Sequence, residues 1–99
     1  MSEPILTIST AAKLLHLHPR TLMLYERAEI LTPHRTTTHR RLYSLKDLDL
    51  LQFVKYLTQL QGVNLRGVKV LIDTFKVAEK DGFQLQKKLF PDFKPKRLT

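Results

Sequence analysis

Pro19 constrains this chain more than any other residue. A proline can open a helix, where its missing N–H has no partner to lose, but a helix does not run through it undisturbed. The N-terminal third is therefore expected to form two short helices instead of one long one. The first spans about Ile8–Leu15, capped by Thr7, with Ile8, Ala11, Ala12 and Leu15 at i, i+3, i+4 and i+7. His16-Leu17-His18 makes the turn. The second helix starts at Pro19 and stops near Ala28–Glu29, and Pro33 prevents any continuation. Its apolar side carries Leu22 and Tyr25, while Arg20, Thr21 and Arg27 turn elsewhere.

The chain then changes character. Residues 34–43 combine β-branched threonines, a polar centre and an apolar close at Leu42 and Tyr43, the pattern of a two-stranded ribbon. Ser44 and Asp47 have the spacing of a capping box at the head of a Leu-rich helix. Leu45, Leu48, Leu51, Phe53, Val54, Leu57 and Leu60 give that helix a wide apolar face, and Gly62 suits a left-handed cap at its end. Asn64 caps a fourth helix with the stripe Leu65, Val68, Leu71, Ile72, Phe75 and Ala78, closed by Asp81-Gly82. Gln84–Phe90 has the composition of one more short helix before Pro91. The tail aromatics Phe83, Phe90 and Phe93 either fold back on the body or make a dimer contact.

Helix, turn, helix and basic ribbon in that order is the layout of a winged helix-turn-helix, which sets one helix in the DNA major groove. The formal charge of +8 agrees with a polyanionic partner. Both halves are basic: residues 1–44 hold six Lys/Arg against three Glu, and residues 45–99 hold eleven against six Asp/Glu. On the second helix Arg20, Thr21, Tyr25 and Arg27 are candidates for DNA contact, with Tyr25 equally suited to the core. On the ribbon, Arg35, His39, Arg40 and Arg41 are candidates for phosphate or minor-groove contact. The plain alternatives are helix arginines paired with Glu26 or Glu29, and a basic loop with no fixed partner.

Other chemistries find little support. Cysteine is absent, which removes disulfides and thiolate metal sites and fits the cytoplasm. His16-x-His18 and His34 with His39 match no zinc pattern, so turn, cap and wing roles are expected and no metal. Asp47 and Asp49 read as first-turn partners of a helix dipole, not a catalytic pair. Neither a phosphate-binding glycine loop nor a nucleophile elbow is seen, so no enzyme activity and no cofactor are expected. An apolar run of bilayer length and a cleavable signal pattern are also lacking.

The segments Ala12-Lys-Leu-Leu15, Pro19-Arg-Thr-Leu22, Tyr25-Glu-Arg27, Arg35-Thr36, Arg41-Leu-Tyr-Ser44, Asp47-Leu48 and Gly62-Val-Asn-Leu65, in this order, resemble the MerR family of bacterial transcription regulators. His18-Pro19, Arg41–Ser44 and Gly62–Val68 look most like its heat-shock repressor branch, HspR. The resemblance implies a mainly α fold, a winged helix-turn-helix of MerR type with a small β wing and a following two-helix unit. It places the DNA-binding domain at 1–80, with the helix-turn-helix at about 7–29, the wing at about 34–43 and helices at about 45–61 and 64–79. Residues 81–99 form a basic tail. It supports Arg35 and Arg41 most directly and adds Thr36 and Tyr43 to the DNA-binding set. It further implies double-stranded DNA as partner, a homodimer on an inverted repeat, a cytoplasmic, nucleoid-associated place, repression of stress or heat-shock genes and a chaperone as corepressor.

The chain also departs from the family pattern. His16, Glu29 and the tip Thr37-Thr38-His39 stand where the family uses glycine, so strain or rearrangement is expected at three corners. Met23 replaces a usual arginine, which removes one DNA contact and shifts sequence preference. Two alternatives stay open: an architectural or excisionase-like accessory factor on the same fold, and a protein-interaction adaptor that has lost DNA affinity.

Overall fold

The computed structural model describes residues 3–98. Its elements are β1 (Leu6–Thr7), α1 (Ile8–Leu15), α2 (Pro19–Arg27), β2 (His34–Arg35), β3 (Arg41–Tyr43), α3 (Leu45–Gln59), α4 (Leu65–Lys80) and α5 (Leu85–Leu89). The fold is mainly α with one small antiparallel sheet of order β1-β3-β2.

Local chemistry sets the helix starts. The Thr7 hydroxyl accepts the Thr10 N–H at 3.2 Å, and Asn64 Oδ1 accepts the Gly67 N–H at 2.9 Å. Ser44 and Asp47 close a reciprocal capping box at 3.0 and 2.9 Å. His18 caps α2, its Nδ1 accepting the Arg20 N–H at 3.0 Å. The three corners lacking glycine are strained without being rearranged. His16, Glu29 and His39 all lie in the left-handed region, at φ 56, 61 and 65°. At the first two, the 6→1 bonds Leu17 N–H to Ala12 C=O (2.9 Å) and Ile30 N–H to Tyr25 C=O (3.0 Å) complete Schellman-type ends. Those bonds, with Ile30 buried in the core, hold residues other than glycine in a conformation that costs roughly 1–2 kcal/mol each.

The core runs from the helix-turn-helix into the two-helix unit: Ala11, Ala12 and Leu15 of α1, Leu22 and Tyr25 of α2, Leu48, Leu51, Phe53, Val54 and Leu57 of α3, and Val68, Ile72 and Phe75 of α4. Lys55 of α3 donates to the Leu15 carbonyl at 2.8 Å, placing a cation on the C-terminal end of α1. This bond ties the first helix to the scaffold.

Three features differ from the sequence reading. β1 joins the ribbon: Leu6 faces Tyr43 and Thr7 faces Leu42 across the ladder, making three strands where two were expected. Two residues, the second of them the cap of α1, carry too little periodicity to be read as a strand. Leu60 lies beyond the end of α3 and is 75% exposed, so it is not part of the core face. The tail aromatics divide. Phe90 and Phe93 fold back onto Phe53 and Tyr56, with ring centroids 5.1–6.1 Å apart, while Phe83 stays exposed. Gln52 fastens the tail from α3, donating to the Lys96 carbonyl at 2.9 Å and accepting the Lys96 N–H at 2.8 Å.

Candidate nucleic-acid interface

α2 turns two faces in opposite directions. Leu22 and Tyr25 are buried against the core. Burial raises the Tyr25 pKa, and the neighbouring Thr58 side chain offsets part of that rise. Arg20, Met23, Leu24 and Arg27, spaced i, i+3, i+4 and i+7, are all exposed and so form one outward stripe. Thr21 is half-buried at its edge.

The wing stands beside α2 because Glu26 holds it there. Arg41 Nε donates to Glu26 Oε1 at 2.6 Å, and Arg35 Nη2 donates to Glu26 Oε2 at 2.9 Å. The need for an anion follows from strand register. Arg35 and Arg41 are direct cross-strand partners in the β2–β3 ladder, and like charges in that position repel. One carboxylate accepting from both resolves the repulsion and joins ribbon to helix. Burial would raise the Glu26 pKa; hydrogen bonds from Arg41 and Arg35 and the charge of the same two guanidiniums outweigh it and hold the carboxyl below its ordinary range.

The wing tip is organised from within. Arg35 Nη1 donates to the His39 carbonyl at 3.1 Å, and the Thr36 hydroxyl accepts the Arg40 N–H at 3.1 Å. The backbone adds Thr36 N–H to Arg40 C=O (3.0 Å) and His39 N–H to Thr36 C=O (2.9 Å).

This geometry sorts the residues proposed from sequence. Arg20 and Arg27 face outward with no ion pair among the described residues, and Arg40 and His39 are exposed at the wing tip. Arg35 spends both terminal nitrogens inside the protein and acts as a strut. Arg41 commits its Nε to Glu26. Thr36 organises the turn. Burial bears on two more residues: Tyr25, open between DNA contact and core, and Tyr43, placed with the DNA-binding set, are 4% and 1% exposed, so both side chains pack in the core. Tyr43 is drawn inward by the β1 pairing and its position beside the cap of α3. Its hydroxyl is buried without a hydrogen-bond partner, and desolvation, followed by the Glu26 charge, pushes its pKa up to about 12.

Sequence reasoning missed two things here. Only the plain alternative gave Glu26 a partner, an arginine of its own helix, whereas its partners lie on the wing, where the ladder sets Arg35 opposite Arg41. It treated Met23 only as a lost arginine, overlooking that Met23 and Leu24 share the outward stripe with Arg20 and Arg27. Among the described residues, no cluster of three or more His, Asp or Glu could hold a metal ion, and no helix is long and apolar enough to cross a membrane.

Comparison with known proteins agrees with this architecture. The family model described as MerR HTH family regulatory protein matches residues 6–74. A protein of Streptomyces coelicolor bearing the name heat shock protein HspR is 44% identical over 70 residues, covering 71% of this chain and 46% of its own length. The HTH-type transcriptional regulator GlnR of Bacillus anthracis is 35% identical over 71 residues, covering 72% of this chain and 54% of its own length. An uncharacterized HTH-type transcriptional regulator of Synechocystis is 39% identical over 65 residues, 65% of this chain and 47% of that protein. The chain spans about half the length of these curated relatives. With a matched segment that runs from β1 into α4 and takes in the helix-turn-helix, the wing and the Glu26 clamp, the chain belongs to the MerR helix-turn-helix family.

Proposed function

We propose that this chain is a sequence-specific DNA-binding transcription regulator that represses stress or heat-shock genes. The observation that carries this reading is the outward stripe of α2, with Arg20 and Arg27 in no ion pair among the described residues and the wing fixed alongside by Glu26. Arg20 and Arg27 supply base-edge or phosphate contacts in the major groove, and Arg40 and His39 reach the flanking backbone from the wing tip. Arg41 contributes any phosphate contact through the guanidinium nitrogens that Glu26 does not engage.

Residues 1–80 act as the DNA-binding unit, and Phe90, Phe93 and Lys96 of the tail pack against α3. Binding occurs as a homodimer on an inverted repeat, since a two-fold protein matches a two-fold site. Heat-shock genes as targets rest on the likeness to the relative named heat shock protein HspR, and a chaperone corepressor is proposed with them from the family resemblance. The test is selection of duplexes from a random pool followed by footprinting of the winners. Enrichment of one inverted repeat with protection centred on it supports the proposal. Recovery of no shared sequence contradicts it.

A further inference from the structure

Resting on that DNA-binding reading, we propose that Met23 and Leu24 are specificity residues that read the C5 methyl groups of thymine in the major groove. Both are apolar, and they are 38% and 43% exposed. Neither belongs to the core or to the partly buried apolar residues packed against it. The fold therefore makes no use of them, although the opposite face of the same helix is packed by Leu22 and Tyr25. Met23 and Leu24 lie between Arg20 and Arg27 on one helical stripe, so any duplex that engages the two cations must come to rest on the two apolar side chains.

The chemistry narrows what they recognise. The major-groove edge of guanine calls for a guanidinium or ammonium, adenine for a side-chain amide, and cytosine for an acceptor. Met23 and Leu24 offer none of these. The thymine methyl is the one apolar group on a base edge, and an apolar side chain is its natural contact. Methionine suits the task further, since its unbranched thioether chain adjusts to small differences in methyl position. A stripe ordered cation, apolar, apolar, cation thus predicts a half-site with thymines between positions contacted by arginine.

The experiment uses the whole chain and the duplex it selects. Affinity is measured for that duplex and for the same duplex with deoxyuridine replacing the central thymines of each half-site. Deoxyuridine keeps the O4 acceptor and lacks only the C5 methyl. The expected result is a loss of about fourfold for each contacted methyl, from the transfer free energy of one buried methyl-sized group. The Met23→Ala, Leu24→Ala double variant should bind the two duplexes equally. Equal binding of both duplexes by the unsubstituted chain, with Arg20→Ala still weakening it, would overturn the methyl reading and leave DNA binding intact. Failure to bind any selected duplex above a scrambled one would overturn DNA binding itself, and this inference with it.

Discussion

The arginines of α2 and those of the wing are the same residue type on elements joined through Glu26, yet they do different work. Arg20 and Arg27 have no ion-pair partner among the described residues and face outward. Arg35 and Arg41 are half-used or fully used by Glu26 and the wing backbone. The difference arises from register. Helix geometry places residues 20 and 27 on a stripe away from the core, whereas ladder geometry places Arg35 and Arg41 opposite each other, where an anion is needed. A basic segment is therefore a poor guide to contact until the acids around it are located.

This contrast can be broken by substitution. Arg20→Ala should weaken duplex binding by about 1–3 kcal/mol, the range for a lost base-reading arginine, and leave the melting temperature nearly unchanged. Gel-shift titration beside thermal melting checks both halves; a large fall in stability would place Arg20 among the struts. Glu26→Gln should do the reverse, lowering stability by about 2 kcal/mol in urea denaturation, because one guanidinium bond is lost, the other no longer ends on a carboxylate, and the opposed wing cations are left uncompensated. Arg41→Ala should cost roughly 1.5 kcal/mol and Arg35→Ala clearly less, since Arg35 is the more exposed partner. Equal effects of the two would contradict the geometry.

The same contrast is sharpened by pH. Glu26 is held below its ordinary range in the folded state. Its stabilisation is therefore complete above the unfolded glutamate value and drains away as pH falls through the folded one. Melting curves should show an acid-side loss in the natural chain that Glu26→Gln lacks. Tyr43 gives the mirror case. With its pKa raised from 10.0 to about 12, its contribution is intact below pH 10 and is lost as pH rises toward 12. Tyr43→Phe should abolish that alkaline loss. At neutral pH it should be neutral or stabilising by up to about 1 kcal/mol, because it removes a buried hydroxyl that has no partner.

Much of the architecture was legible because its signals are local. Pro19 and His18 start α2, Ser44 with Asp47 starts α3, Asn64 starts α4, and each does so through bonds to residues two or three positions away. The three left-handed corners were legible as sites where glycine was missing. Whether they would strain or rearrange was not, since the outcome depends on the bonds made by Leu17 and Ile30 and on the packing of the latter. The site was harder to read. Tyr43 entered the DNA-binding set with its family-matched segment, and its burial beside the β1 pairing shows that it packs inward. The Glu26 clamp links residues 9 and 15 positions apart and belongs to no single element. Long-range register and two-sided exposure are properties of the assembled fold, and no local pattern encodes them.

The central claim is that the outward cations of α2 meet the duplex while the clamped wing arginines hold the frame. It is tested most directly by the salt dependence of duplex affinity for the natural chain and for Arg20→Ala, Arg27→Ala. Each phosphate contact contributes about −0.9 to the slope of log affinity against log salt, and base contacts contribute affinity without slope. The account predicts weaker binding by the double variant at every salt concentration, with a slope shallower by no more than about 2. Unchanged affinity and an unchanged slope would contradict it.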